Sequence, residues 1–428
     1  MTEEELNGLG AALDDFLQPY LFCCGYTQTF AHLHTYCRGL LSDLKRKSVE
    51  PIAIAAGCAV RTLQEFLRDH LWQYGQLRDQ LQGAVAVELA TLPDDDLGNV
   101  GLVDETSAVK SGTKTPGVQR QYLGCVGKID NGIVTVHLGV CKGRYKTLID
   151  AELFLPREWA NDRERCKQAG IPDDMVYRPK TTIALEELDR AKANKVQLDW
   201  LTFDEGYGSK VPFLTLLSLT GQKFVAEVPV AFAVRVAGIE RSVRADEVLP
   251  VENAQEGRRH RIRQETCGDA WWRAASLMVR VRDRDYRLVV AINEATAVVK
   301  YFVTNATGEP LGRVLQVAFR RATVEHGFRV AKTEAGLTHY EGRQYAGMLR
   351  HLILALIVLG FVSIHTDRLR GGKSPGDEGA GMPSAERTLR GAVPSAAWDG
   401  GDPSQRRGDP LSPAPQRASG PVPQETAA

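Results

Sequence analysis

Apolar positions recur every three or four residues through the first part of the chain, where Leu40, Leu41 and Leu44 share one helical face and Leu63, Phe66, Leu67 and Leu71 share another. This periodicity predicts helices over residues 5–95. Residues 51–57, ending in Gly57, and residues 61–67 read as helix, glycine turn, helix. That layout suits either a helix-turn-helix DNA reader or a plain helical hairpin. The run Pro93-Asp94-Asp95-Asp96 marks a boundary.

From Gly101 the period changes to that of strands. Gly101-Leu102-Val103 is a short apolar strand, and residues 121–127 and 133–140 are β-rich runs with the hairpin signal Asp130-Asn131-Gly132 between them. Further strands are predicted over residues 198–203 and 224–236, and as a pair over 277–281 and 286–292. Residues 311–364 return to helix. A helical head, a β-rich middle and a helical close predict an α/β catalytic unit carrying a β insertion. Residues 371–428 hold ten Gly and nine Pro, which predicts a disordered tail.

Composition narrows the classes. The chain has 428 residues, 43% hydrophobic and 25% charged, enough for two or three domains. Lys plus Arg and Asp plus Glu both total 53, and a zero sum leaves room for a basic face balanced elsewhere. The acidic start is unlike a signal peptide, and the apolar run 352–364 is too short to span a bilayer, so no membrane partner is expected. Eight cysteines without CxxC spacing fit a reducing compartment, taken as the cytoplasm. Cys23, Cys24, His32, His34 and Cys37 cluster in sequence, yet their spacing fits none of the usual zinc patterns.

Three carboxylates stand out by context. Asp104 follows Leu102-Val103, Asp204 follows Trp200-Leu201-Thr202-Phe203, and Glu325 lies on a predicted helix. A carboxylate at the end of a buried strand is held rigidly, and hard cations take oxygen ligands in fixed geometry. Turn-capping Asp and solvated Glu residues are the bland alternative. Glu105 and Glu205, as strand neighbours of the two Asp, should face away from the site.

The segment Arg321-x3-Glu325-x6-Lys332, followed by Glu334-x-Gly336-Leu337-x-His339-Tyr340-Glu341-Gly342-Arg343, resembles the region around the third acid of DDE transposases of bacterial insertion sequences. Val103-Asp104-Glu105-Thr106 with Lys110-x-Gly112, Gly117-Val118, Arg120-Gln121-Tyr122 and residues 127–131 is similar to the first-acid region of that family. Trp200-x3-Asp204-x2-Tyr207-Gly208 resembles the second, and residues 40–52 a piece of the helical N-terminal domain. The motifs run in order from about residue 20 to 367.

The resemblance implies a ribonuclease H-like core interrupted by a mostly β insertion and preceded by a helical N-terminal domain. The implied divisions are 1–97 helical and DNA-end binding, 98–220 first part of the core, 221–308 insertion, 309–368 helical end of the core, and 369–428 tail. It also implies two Mg²⁺ ions, replaceable by Mn²⁺, on Asp104, Asp204 and Glu325, with Arg321 and Lys332 on phosphates. Double-stranded DNA, at transposon ends and target, is the implied partner, bound by a dimer on paired ends. One departure is Ala318, where the family usually has an aromatic hydroxyl three residues before the Arg.

Two further signals lie in the insertion. Between Arg258 and Arg287 there are nine Arg against four acids. Arg258, Arg259, Arg261 and Arg263 form a candidate phosphate-binding run, with a solvated loop as the alternative. Trp271 and Trp272 beside it are candidates for stacking on an extruded base, or for core residues at a seam. The atypical tail keeps open a catalytically inert or truncated DNA-binding remnant, and a ribonuclease H-like nuclease without strand transfer shares the same triad.

Overall fold

A computed structural model describes residues 3–239, 241–262 and 269–370. Helices come first: α1 (Glu3–Leu17), α2 (Thr27–Leu41), α3 (Val49–Ala55), α4 (Val60–Arg68) and α5 (Tyr74–Thr91). In α4 the buried Leu63, Phe66 and Leu67 sit at i, i+3 and i+4, while Arg61, Gln64 and Arg68 face solvent. Gly57, at φ 65°, makes the turn between α3 and α4. Two positions depart from the predicted faces. Leu44 lies past the end of α2, and Leu71 is 85% exposed beyond α4. The α4 helix stops because the amides of Asp69 and His70 both donate to the Glu65 carbonyl.

The middle of the chain runs β1 (Val100–Val109), β2 (Gln119–Leu123), β3 (Lys128–Lys142), β4 (Tyr145–Leu153), α6 (Arg157–Asn161), α7 (Arg163–Gln168), α8 (Lys180–Ala193), β5 (Trp200–Phe203), α9 (Glu205–Gly208) and α10 (Val211–Leu219). There follow β6 (Phe224–Val228), β7 (Ala233–Val234), β8 (Val243–Arg244), α11 (Ala245–Val248), α12 (Val251–Gln255), β9 (Arg258–Ile262), β10 (Ala270–Val281), β11 (Arg284–Asn293) and β12 (Val299–Thr304). Helices α13 (Leu311–Arg320), α14 (Ala322–Glu334) and α15 (Tyr345–Arg370) close the described chain.

One ten-stranded sheet carries the fold, in the order β2-β3-β1-β5-β6-β12-β11-β10-β9, with β4 also on β3. The β1–β5 and β5–β6 pairs are parallel and the others antiparallel, so the protein is mixed α/β. The stretch 221–308 continues this sheet through β6 and β9–β12 and adds the small β7–β8 ribbon.

The strand boundaries correct the sequence reading in three places. Strand β1 is ten residues long, so Asp104 lies in its middle rather than at its end. Pairing with β3 on one side and β5 on the other sustains it past the apolar stretch. The β2–β3 turn falls at residues 124–127, where Gly127 takes φ 66°, and not at Asp130-Asn131-Gly132. Those three residues are paired strand, and the Asn131 amide donates to the Gly112 carbonyl at 3.0 Å. The predicted strand 224–236 breaks at Pro229, which has no N–H for a ladder.

Helix α15 joins the N-terminal helices to the sheet. The apolar run seen in sequence is part of a longer helix, and Tyr345–Thr366 is the one span among the described residues long and apolar enough to cross a membrane. Its environment is protein, since 94% of its apolar 18-residue window is buried inside the fold. Two polar side chains on it explain the fixed orientation. Arg350 donates to the carbonyls of Leu67, His70 and Trp72 at 2.9, 2.8 and 2.5 Å. His351 donates through Nε2 to the Gly336 carbonyl at 2.9 Å and accepts at Nδ1 from the Tyr36 hydroxyl at 2.9 Å. That pattern requires the neutral ring, because one nitrogen must accept.

Burial lowers the His351 pKa from 6.5 to about 4. Below pH 6.5 the unfolded chain therefore binds a proton that the folded protein refuses, and stability falls as pH drops towards 4. Between those limits the loss from this one ring is expected to approach about 3 kcal/mol. Chemical denaturation of wild type and His351→Gln across pH 4–7.5 checks this: the variant should show a shallower acid slope, by close to one proton.

Candidate active site

Strand pairing assembles the acids. Leu102 on β1 pairs with Thr202 on β5, and Phe203 pairs with Ala226 on β6, all in parallel register. Two residues on from Leu102 and Thr202, Asp104 and Asp204 stand side by side. Asp204 keeps an extended backbone as the N-cap of α9, and its carboxylate accepts from the Tyr207 amide at 3.4 Å. Its neighbour in the next strand is Glu227. The chain after Asp204 passes so close over β6 that a Cβ on Gly208 would lie 1.9 Å from the Glu227 carbonyl oxygen. Only glycine lets the end of α9 pass there.

Asp104 is 8% exposed, and its Oδ1 accepts from the Glu105 amide at 2.7 Å. Burial, and then the nearby Asp204 charge, push its pKa up from 3.8 to about 7. On the other side Asp104 pairs with His137 of β3, a fully buried ring packed edge-on against Phe328 of α14. Glu105 points the opposite way, to Lys180 at 2.7 Å, as alternation along a strand requires. Glu205 is exposed.

Arg321 brings the helical end of the chain to these strands. It occupies the joint between α13 and α14 and is four residues before Glu325. Its guanidinium lies 3.5 Å from Asp104 Oδ2, 3.6 Å from Glu227 Oε2 and 3.1 Å from Glu325 Oε1. The Glu325 side chain is 61% exposed, on the solvent side of the group. Lys332, two turns along α14, is half-buried; burial lowers its pKa, while the Cys125 and Asp104 charges act against that. Glu227 was not marked by sequence reasoning, although a lone charge in the apolar run Phe224-Val225-Ala226-Glu227-Val228 is a readable signal.

Among the described residues, no three His, Cys, Asp or Glu side chains come close enough together to hold a metal ion. That covers the Cys23, Cys24, His32, His34 and Cys37 group, of which Cys24 and Cys37 are buried thiols with pKa values raised by burial. It also covers Asp104, Asp204 and Glu325, of which Asp104 and Glu325 are joined through Arg321. In donor chemistry Asp104 and Asp204 do suit a hard cation: both offer oxygen only, and their mutual repulsion is what a cation would relieve.

The two tryptophans separate. Trp272 is 4% exposed and packs on Phe319 of α13 with ring centroids 4.3 Å apart, which fits the core alternative of its two readings and not stacking on an extruded base. Trp271 points the other way, is 38% exposed, and carries the Arg259 guanidinium 4.0 Å above its ring. Arg258, Arg259 and Arg261 lie on the edge strand β9, and Arg263 lies outside the described residues. Arg259 pairs with Glu294 at 2.8 Å, and Arg261 pairs with Asp269.

The chain matches the family described as "DDE superfamily endonuclease" over residues 20–267 and that described as "Transposase DDE domain" over residues 178–361. The chain belongs to the DDE transposase family. It is also 37% identical over 231 residues to a protein of Microchaete diplosiphon named "Probable transposase for insertion sequence element IS701". That match covers 53% of this chain and 52% of the relative, so the chain spans about half the length of the curated relative it matches. The row of acids lies at the carboxyl-terminal end of β5.

The division of the Trp pair is measurable. Trp272→Ala should destabilise the fold by about 3–5 kcal/mol through the cavity it leaves against Phe319. Trp271→Ala should cost well under half of that. Equal losses in urea titration would contradict this placement.

Proposed function

We propose that this chain is a transposase that cuts the DNA ends of an insertion sequence and joins them to target DNA. Asp104, Asp204 and Glu325 are its essential carboxylates. The observation that carries the reading is the placement of Asp104 on β1 beside Asp204, which directly follows the adjacent parallel strand β5, with Arg321 linking Asp104 to Glu325. The strand order, antiparallel on one side of β1 and parallel on the other, supports a ribonuclease H-like core.

In this reading Asp104 and Asp204 hold divalent cations, Mg²⁺ or Mn²⁺, with Glu325 completing the set. Such ions, when bound, activate the attacking water or 3′-OH and stabilise the leaving oxygen. The chain's own groups do the rest. Arg321, anchored on Glu227, presents spare guanidinium donors to a phosphate near the cut. Lys332 adds a second positive charge from the same helix. His137 and Phe328 wall off the inner side of Asp104 from water. Double-stranded DNA would extend from this site across β10 and β9, where Trp271, Arg258, Arg259 and Arg261 are exposed, and a dimer would hold the two ends.

Asp104→Asn, Asp204→Asn and Glu325→Gln should each reduce end cleavage by at least about a thousandfold while end binding persists. A gel assay on the element's own ends, with Mg²⁺, Mn²⁺ or chelator, measures this; wild-type nicking by any one variant removes that residue from the site. Replacing Arg258, Arg259, Arg261 and Arg263 together by Gln should weaken binding and flatten its dependence on salt. An unchanged salt slope would place the β9 edge outside the interface.

A further inference from the structure

Glu227 stands in the row of acids, yet its contacts differ from theirs. Its side chain is 13% exposed, and each oxygen meets a different cation. Oε1 accepts from Lys300 Nζ of β12 at 2.5 Å, and Oε2 faces Arg321 Nε at 3.6 Å. Lys300 is itself only 27% exposed and sits diagonally across the β6–β12 ladder, in which Phe302 is the direct partner of Glu227. Removing Glu227 would leave Lys300 and Arg321 with two half-buried positive charges and no shared counter-ion.

Arg321 needs such an anchor. Its guanidinium is drawn by Asp104 from the sheet and by Glu325 from the exposed side of α14. Those two contacts alone leave it free to follow Glu325, whose side chain is mostly in solvent. The contact to Glu227 engages Nε, the nitrogen nearest the chain, and so leaves Nη1 and Nη2 for the other acids or for a phosphate.

We propose that Glu227, held by Lys300, is a positioning residue that fixes the Arg321 guanidinium across the Asp104–Asp204 row. This rests on the active-site reading above. Glu227 acts through Arg321 and touches no substrate. Its loss should therefore appear in turnover more than in end binding, because a small misplacement of a charged group costs much in rate.

The test is a double-mutant cycle on the full chain, with end cleavage and end binding measured separately. Glu227→Gln should lower the single-turnover cleavage rate by about 10- to 100-fold and leave end affinity within about threefold. Glu227→Asp should recover part of that rate. In an Arg321→Ala background the Glu227→Gln change should have little further effect, since its target is gone. Thermal melts of each variant separate folding loss from mispositioning. The proposal is overturned if Glu227→Gln cleaves like wild type, if the two changes multiply independently, or if the rate loss only tracks a fall in melting temperature. If wild type and Asp104→Asn cleave alike, the active-site reading itself fails, whatever Glu227 does.

Discussion

Parallel pairing of β1, β5 and β6 sets Asp104, Asp204 and Glu227 in one row, about 4.8 Å apart from strand to strand. Burial first, and then the neighbouring Asp204 charge, raise the pKa of Asp104, so an uncompensated row of carboxylates is costly here. The fold answers by delivering Arg321 from the helical layer and Lys300 from β12. Arg321 can reach three acids because it sits where α13 stops and α14 starts, so its side chain enters at a break between helices. The chemistry proposed for the site depends on this balance.

The same helix is secured at its other end. The Lys47 ammonium, from the loop after α2, is fully buried and donates to the carbonyls of Leu40 and Glu334, each at 2.5 Å. Glu334 is the last residue of α14, and a cation at that end satisfies carbonyls the helix leaves unpaired. Helix α14 is thus fixed by Arg321 at its start and by Lys47 at its end, with Glu325 between. The N-terminal helices thereby take part in placing the third acid, and His351 on α15 reinforces the link through Tyr36 and Gly336.

Much of this was legible from residue order. The helical head, the β-rich middle and the motif residues Asp104, Asp204, Arg321 and Glu325 follow from periodicity and family resemblance. Misreadings arose where tertiary pairing overrode local signals. Asp130-Asn131-Gly132 has turn chemistry, yet β1 and β2 pair with it and Gly127 supplies the turn. Asp104 looked like a strand end because charge usually stops an apolar run, whereas flanking strands carry β1 onward. The lone charge at Glu227 was readable in its apolar run, but its contact to Arg321, 94 positions away in sequence, is encoded by no local pattern.

The basic stretch illustrates the difference between counting charges and placing them. By sequence it carries an excess of arginine; in the fold Glu294 receives both Arg259 and Arg273, and Asp285 pairs with Arg280. These exposed pairs contribute little to stability, so the arginines remain available to a stronger anion. A guanidinium held by one carboxylate still has donors to spare, and its position is already restricted. Arg259, fixed between Glu294 and the face of Trp271, has therefore lost much of its side-chain freedom before any phosphate arrives. Such a surface would bind DNA through a few pre-oriented contacts more than through bulk positive charge, which is consistent with a chain whose net charge is zero.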